Sequence, residues 1–266
     1  MTERVHSPVA RSDSSIALQR RRSSTLYVGC AGWVLPPASR DRFPVEGSHL
    51  ARYAARFHAA EINSSFYGPH RRDTYRKWAS SVPRSFRFSV KVPKQITHEH
   101  RLLRSAKPLD RFIADVTGLG VKLGCLLVQL PPSLEFKIRT ARSFFSTLRA
   151  KYPGHVVVEP RHATWFTPAV DNLLATLEVA RVAADPALVP AAGLPGGWPG
   201  IRYFRLHGSP RMYYSSYQND YLDALALKLT ALAKSRAPVW CMFDNTAYGV
   251  ATGNALDLLH LLHTRR

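Results

Sequence analysis

The chain has 266 residues, of which 45% are hydrophobic and 21% are charged, a composition typical of a folded protein and not of a disordered one. Its 37 Lys and Arg outnumber its 18 Asp and Glu, which gives a net charge of +19 with neutral histidines. This excess favours an anionic ligand or a polyanionic partner such as nucleic acid. No apolar run approaches the ~20 residues of a membrane span, and no secretory signal core is present. We therefore expect a soluble, cytoplasmic protein that makes no membrane contact.

The composition changes near residue 25. Residues 1–24 are rich in Arg and Ser, which predicts a disordered basic tail. Residues 25–266 have the usual length of one (β/α)8 barrel. Cys30, Cys125 and Cys241 all fall in apolar runs, as expected of reduced thiols in a protein core.

Short apolar or β-branched runs alternate with segments of helical periodicity along the whole of residues 25–266. The first strand is predicted at residues 26–30, and the helix after it carries Leu50, Tyr53, Ala54 and Phe57 on one face. The further strands are predicted at residues 59–63, 86–91, 125–130, 155–159, 181–185, 201–207 and 238–244. A Pro- and Gly-rich stretch from 186 to 200 is predicted to be an irregular loop.

Eight strands with intervening helices predict an α/β fold, a single-domain (β/α)8 TIM barrel. A doubly wound open sheet is the competing fold. Its usual nucleotide-binding signatures are missing, since the sequence contains neither a GxGxxG after the first strand nor a Walker A motif. The barrel is therefore the preferred interpretation.

Polar residues end the predicted strands, and in a barrel these C-terminal ends build the active site. Carboxylates and an imidazole at such positions are the groups that general acid–base catalysis requires. The residues predicted to be catalytic are Glu61, Glu159, Asp185 and His207. The residues predicted to bind substrate are Trp33, Asn63, Tyr67, Lys91, His98, Gln129, Arg161, Arg205, Tyr213, Asp244 and Asn245.

Two other interpretations of these strand ends stay open. The charged residues are also compatible with a structural ring of ion pairs, because buried charges need partners. The other is a divalent metal site, whose ligands would be Glu159, Asp185, His207 and Asp244. Neither HExxH nor CxxC spacing supports such a site, and the nearby cations disfavour it, so the sequence requires no cofactor.

The strand-end motifs resemble the DUF72 family, also called YecE-like. The stretches that carry the resemblance are residues 29–33, 61–67, 91 with 97–98, 127–132, 159–166, 203–208 and 243–245 with 254–255. The resemblance implies a TIM-barrel domain of unknown function whose matching strand-end residues line a pocket. Two positions depart from the pattern: Cys30-Ala31 stand where a serine commonly precedes Gly-Trp, and Asp244 stands where the family often has asparagine.

Three functions are compatible with these features. The leading one is an enzyme that acts on a small anionic or sugar-like substrate by acid–base chemistry, with hydrolase, lyase and isomerase all open as reaction classes. The second is a metal-dependent phosphoesterase or isomerase, by analogy with the endonuclease IV and xylose isomerase barrels. The third is a nucleic-acid binding module that uses the tail and residues 71–111, where twelve Lys or Arg meet three Asp or Glu.

Overall fold

Parallel strands alternate with helices along the chain, in the order that the sequence pattern predicts. A computed structural model of the protein describes residues 26–264, so the tail predicted for residues 1–24 lies outside the described residues. The strands are β1 (Leu26–Cys30), β2 (Ala59–Ile62), β3 (Arg87–Lys91), β4 (Leu123–Gln129), β5 (His155–Glu159), β6 (Val179–Arg181), β7 (Ala183–Asp185), β8 (Gly196–Gly197), β9 (Arg202–Leu206) and β10 (Val239–Phe243). The α-helices are α1 (His49–Ala54), α2 (Arg72–Ser80), α3 (Ala106–Val116), α4 (Ile138–Lys151), α5 (Pro168–Thr176), α6 (Asn219–Leu232) and α7 (Val250–Thr264).

The parallel strands close into the predicted (β/α)8 barrel. They pair in the orders β2-β3-β4-β5-β6 and β1-β10-β9-β7, and two joints connect these sheets. One joint is strand six, in which β6 and β7 are two halves separated by Val182. The other is a parallel bridge between Ala31 and Glu61. Gly29 permits this second joint, because a Cβ at this position would lie 2.0 Å from the Ala59 carbonyl oxygen.

The stretch from residue 186 to 200 is more ordered than the sequence predicts. It contains a 3-10 turn at Pro190–Gly193, and β8 within it pairs antiparallel with β6. Arg181 anchors the segment: its guanidinium binds both carboxylate oxygens of Asp171 at 2.8 and 3.0 Å and donates to the carbonyl oxygens of Ala191 and Leu194. The prediction of an irregular loop was wrong in this part, because a buried arginine needs carbonyl partners and the glycines allow the chain to approach it.

The interior of the barrel has two layers of different chemistry. Alternate residues of a strand point to opposite faces, so every second residue faces the interior. The lower layer is apolar and includes Leu127, Val157, Tyr203, Trp240 and Met242. The upper layer, at the C-terminal ends of the strands, is polar and charged, and it is described below. A second, larger apolar core fills the space between the strands and the helices around them. Among the described residues, no helix combines the length and the hydropathy that a membrane crossing requires.

Candidate active site at the mouth of the barrel

Arg205 is the centre of the charged layer. Its Nη2 lies 2.7 Å from Glu61 Oε1 and 3.0 Å from Asp244 Oδ2, and its Nη1 lies 3.1 Å from Glu159 Oε2. Its Nε lies 3.0 Å from Glu61 Oε2. All three nitrogens therefore contact carboxylates, and the side chain is 0% exposed. Arg205 was predicted to bind substrate; in the structure its guanidinium is buried and holds the three acids in position.

His207 bridges two of the same carboxylates through its two ring nitrogens. Its Nδ1 lies 3.0 Å from Asp244 Oδ2, and its Nε2 lies 2.8 Å from Glu159 Oε1. Nε2 also lies 2.7 Å from Arg161 Nη2, and this Arg161 nitrogen is 2.8 Å from Glu159 Oε1. The His207 side chain is 0% exposed, whereas that of Arg161 is 13% exposed. The imidazole thus connects the buried acids to an arginine that solvent can reach.

The cations keep the carboxylates ionised. Burial alone would raise the pKa of Glu159, but the charges of Arg161, Arg205 and His207 outweigh it and hold this pKa well below its usual value. The pKa of Asp244 is also lowered: burial raises it, and the charge of Arg205 with the hydrogen bond from His207 more than offsets the burial. Near neutral pH these two groups are therefore ionised and accept hydrogen bonds.

Lys91 ends β3 beside this layer and is only 6% exposed. Its Nζ lies 4.1 Å from the centre of the Phe66 ring. Burial and the positive charge of Arg205 lower the pKa of Lys91 to about 8, although nearby carboxylates act in the opposite direction. His98 packs against the same ring with its centroid 4.9 Å away, and its Nδ1 lies 2.9 Å from Thr97 Oγ1. The end of β3 and the turn after it therefore present an amine and an imidazole that both contact one aromatic ring.

A cavity of about 330 Å³ opens beside the charged layer, and Trp33, Glu61 and Asn63 are among its lining residues. Several polar atoms in this region are buried without a hydrogen-bond partner among the described residues. They are Asn63 Oδ1, Gln129 Oε1 and Arg161 Nε. Gln129 is in register with Glu159, so both side chains face the same side of the sheet. Buried polar atoms without partners are rare in folded proteins, which makes this mouth the candidate ligand site.

Asp185 and Asn245, both predicted to be site residues, lie outside the charged layer. Asp185 is in register with Leu206, whose side chain belongs to the core between strands and helices. Its Oδ1 accepts a hydrogen bond from the Tyr217 hydroxyl at 2.7 Å, so the structure does not bring Asp185 to the other predicted acids. Asn245 donates through Nδ2 to the Ser215 carbonyl oxygen and to Asn254 Oδ1, both at 2.9 Å. It therefore holds the loop after β9 in place.

The aromatic residues predicted at the mouth differ in how exposed they are. Tyr67 is 74% exposed and Tyr213 is 39% exposed. Tyr213 meets the His207 ring edge-on, with 5.6 Å between the ring centres, and it has a left-handed φ of 70°. Such a φ is rare for a bulky residue and concentrates at functional sites. Trp33 packs edge-on against Trp78 at 5.1 Å, so only part of its ring is available to a ligand.

The four residues considered as metal ligands do not form a ligand set. Asp185 is bonded to Tyr217, and the facing oxygens of Glu159 and Asp244 are taken by Arg205 and His207. Within residues 26–264, no group of three or more His, Cys, Asp or Glu has an arrangement that fits a metal ion. The donors at this mouth therefore suit hydrogen bonding and proton transfer.

Two contributors to the site were not predicted from the sequence. The Tyr203 hydroxyl donates to Glu61 Oε2 at 2.9 Å and lies 2.8 Å from Ser89 Oγ. Both residues stand two positions before a predicted site residue of the same strand, Tyr203 before Arg205 and Ser89 before Lys91. The period of two in a strand was therefore the signal that identifies them.

Comparisons with known proteins agree with this architecture. A sequence model described as "Protein of unknown function DUF72" matches residues 27–266. The UPF0759 protein YunF of Bacillus subtilis (strain 168) is 22% identical over 272 residues, which cover 89% of this chain and 94% of YunF. The UPF0759 protein YecE of Escherichia coli (strain K12) is 24% identical over 142 residues, about half of each chain, with 53% of this chain and 50% of YecE covered.

Solved structures show the same fold. A DUF72 family protein from Thermotoga maritima MSB8 has a TM-score of 0.75 at 23% sequence identity, with 90% of this chain and 99% of that chain covered. A DUF72 family protein from Enterococcus faecalis V583 also has a TM-score of 0.75, at 19% identity, with 90% and 96% covered. The motifs, the barrel and the match over residues 27–266 together show that this chain belongs to the DUF72 family.

Proposed function

We propose that the protein is an enzyme that acts on a small anionic or sugar-like substrate by acid–base chemistry at the C-terminal mouth of the barrel. The observation that carries this proposal is the position of His207 Nε2, which lies 2.8 Å from a carboxylate oxygen of Glu159 and 2.7 Å from the Arg161 guanidinium. A nitrogen between an obligate acceptor and an obligate donor has a partner whether or not it carries a proton.

The two protonation states of His207 use different partners. In the neutral ring with its proton on Nδ1, that proton is donated to Asp244, and Nε2 accepts a hydrogen bond from Arg161. In the charged ring, Nε2 donates to Glu159 instead. The buried ring therefore takes up or releases one proton without leaving a nitrogen unsatisfied, which is the property required of a general acid or base.

The charge of the layer favours an anionic ligand. Its three carboxylates, those of Glu61, Glu159 and Asp244, face three cations, those of Lys91, Arg161 and Arg205. With a neutral His207 the layer is therefore balanced. A bound monoanion adds one negative charge, and protonation of His207 would restore the balance. The unpartnered amide oxygens of Asn63 and Gln129 are suited to accept hydrogen bonds from substrate hydroxyls, which is why a hydroxylated or sugar-like acid fits this mouth.

We therefore expect the protein to take up a proton when it binds an anion. We would titrate the protein with glycolate and with acetate by calorimetry, in buffers of different ionisation enthalpy, because both anions carry one charge and do not titrate near neutral pH, so that proton uptake by the protein is measured directly. We expect about one proton per bound anion in the wild type and none in His207→Gln. Asp185→Asn is the matched control, since it removes a carboxylate that lies outside the layer. Equal uptake in the His207→Gln variant would contradict the role of His207.

The catalytic part of the proposal is tested by turnover. In a screen of hydroxylated and phosphorylated small acids, a substrate of the wild type should be converted at a rate lowered by a factor of about 10²–10⁴ in Glu159→Gln, the usual contribution of one acid–base group. The Asp185→Asn control should keep the wild-type rate. An unchanged rate in the Glu159→Gln variant would remove Glu159 from the chemistry.

A second candidate function rests on the surface around α2 and α3. Ten basic side chains of residues 71–111 are exposed: Arg71, Arg72, Arg76, Lys77, Arg84, Lys94, Arg101, Arg104, Lys107 and Arg111. An exposed basic surface of this kind favours polyanions, and nucleic acid is the partner that it suits. Binding to a DNA duplex should then weaken steeply with added salt, weaken further in the double variant with Lys107→Gln and Arg111→Gln, and persist in Glu159→Gln. Binding that is insensitive to salt would reject this candidate.

A further inference from the structure

Lys91 differs from an ordinary buried lysine in what its amine contacts. Among the described residues its Nζ makes no hydrogen bond and no ion pair within 4.0 Å, and its close neighbour is the face of the Phe66 ring at 4.1 Å. Lys122 is the instructive comparison, since its Nζ donates to the carbonyl oxygens of Ala79 and Val82. The Lys122 amine is committed to structure, whereas the Lys91 amine is not.

We propose that Lys91 is a nucleophile that forms an imine with a small carbonyl compound carrying an anionic group. This inference rests on the proposed function, because it assigns the substrate class of the same mouth. A lysine amine that is shielded from water and free of ion pairs is the form that attacks carbonyl carbons.

The surroundings of Lys91 supply the reactive form of the amine. Burial and the charge of Arg205 lower its pKa to about 8, against ~10.4 for an ordinary lysine. Roughly a tenth of the amine is therefore uncharged at pH 7, against less than about a thousandth for an ordinary lysine. The face of the Phe66 ring beneath Nζ offers neither a carbonyl nor a carboxylate oxygen, so the amine is not fixed by a strong hydrogen bond and can turn to a ligand in the mouth.

The imine step balances without any further reactant. The lone pair of the Lys91 nitrogen attacks the carbonyl carbon, a carbon–nitrogen bond forms, and the carbonyl oxygen takes up a proton. The two amine protons then leave with this oxygen as one molecule of water. His207 in its charged form is the acid of the layer that can protonate the departing oxygen, and the neutral ring that remains can then accept the proton released by the Lys91 nitrogen, so that His207 ends in the form in which it began.

The anionic group of the substrate has a candidate partner in the same mouth. Arg161 keeps an Nε–H that is buried and unpartnered among the described residues, and its side chain remains 13% exposed. A carboxylate and a phosphate are both suited to a guanidinium. Imine formation makes the neighbouring C–H bond more acidic, and this chemistry belongs to the lyase and isomerase classes.

The test is reductive trapping of the imine. The full-length protein would be incubated with sodium cyanoborohydride and either pyruvate or dihydroxyacetone phosphate, so that the two arms distinguish a carboxylate from a phosphate. With pyruvate, the intact mass should rise by the mass of pyruvic acid less one oxygen atom, and peptide mapping should place the adduct on Lys91. The initial rate of trapping should reach half of its maximum near pH 8.

Two variants make the outcome decisive. Lys91→Arg keeps the positive charge and cannot form an imine, so trapping should be lost while the circular dichroism spectrum and the melting temperature stay near those of the wild type. Lys122→Arg should leave trapping unchanged.

Three outcomes would overturn the proposal. They are no adduct with either carbonyl compound, an adduct spread over exposed lysines, and half-maximal trapping at a pH of ~10.4, the pKa of an ordinary lysine. Proton uptake on glycolate binding, measured separately, shows whether the proposed function itself holds when trapping fails.

Discussion

The two layers of the barrel interior are equally buried and are held together by opposite kinds of interaction. In the lower layer, Leu127, Val157 and Met242 are 0% exposed and contribute by the burial of apolar surface. In the upper layer, Glu61 and Arg205 are also 0% exposed. Removing charges from water costs several kcal/mol per ion, and replacing such pairs by apolar residues is often neutral or stabilising. Stability therefore accounts for the lower layer, and the upper layer calls for a functional explanation.

Tyr203 joins the two layers. Its ring is nearly parallel to that of Trp240, with 5.9 Å between the ring centres, and so belongs to the apolar layer. Its hydroxyl donates to Glu61 in the charged layer. The boundary between the layers therefore lies within one side chain, and substitutions above and below it should have effects of different character.

The largest effect is expected from Arg205→Met. This change leaves three buried carboxylates without their shared cation, and breaking a buried ion pair from one side costs about 3–5 kcal/mol. The free energy of unfolding should fall by at least that amount in urea titrations at neutral pH. Arg202→Met is the matched control on the same strand, because Arg202 is only partly buried and donates to Ser235 Oγ. If the two variants were equally stable, the central role of Arg205 would be rejected.

Leu127→Ala addresses the lower layer. Truncation of a fully buried leucine typically costs about 2–5 kcal/mol, through lost burial and the cavity that remains. We expect this loss to be independent of pH, and proton uptake on anion binding should stay at the wild-type value. Leu188→Ala, at a side chain that is 56% exposed, should change stability by less than about 0.5 kcal/mol. A pH-dependent loss in the Leu127→Ala variant would show that the layers are coupled.

Much of this arrangement follows from the period of two in a strand. Leu127 and Gln129 share a face of β4, Val157 and Glu159 share a face of β5, and the polar member of each pair is nearer the C-terminal end. The sequence therefore predicted the barrel, and it also placed Glu159 and Gln129 at the mouth. The family resemblance added the extent of the fold and left the chemistry open.

The position of Asp185 could not be read in this way. Strand six has Ala183 and Ala184 before the aspartate. Two small residues in a row do not show which of the alternating strand positions face the interior. The structure settles it through register, because Asp185 pairs with the outward-facing Leu206 and Ala184 pairs with Arg205. The sequence also did not predict which arginine is buried. Arg161 and Arg205 both end predicted strands, and only the fold shows that Arg205 lies among three acids.

At acid pH, the contribution of the upper layer to stability should change with pH, whereas that of the apolar lower layer should not. Glu159 has a lowered pKa in the folded protein, so its stabilising contribution is complete above its unfolded pKa of about 4.3 and is lost as the pH falls below it. The Glu159→Gln variant lacks this contribution. Between neutral pH and about pH 3, the free energy of unfolding of the variant should therefore fall less steeply than that of the wild type. Parallel profiles for the two proteins, from urea titrations across this range, would show that Glu159 is not held ionised by its cations.

The smallest effect is expected from Tyr203→Phe, which changes the boundary and leaves both layers in place. The ring still packs on Trp240, but Glu61 and Ser89 each lose one hydrogen-bond partner. The loss should be about 1–2 kcal/mol in the free energy of unfolding, near that of one buried hydrogen bond. Tyr27→Phe is the matched control: its ring also packs on Trp240, and its hydroxyl has no hydrogen bond among the described residues. Only the Tyr203 hydroxyl reaches the charged layer. Equal losses of stability in the two variants would therefore mean that the hydrogen bond from Tyr203 to Glu61 does not contribute.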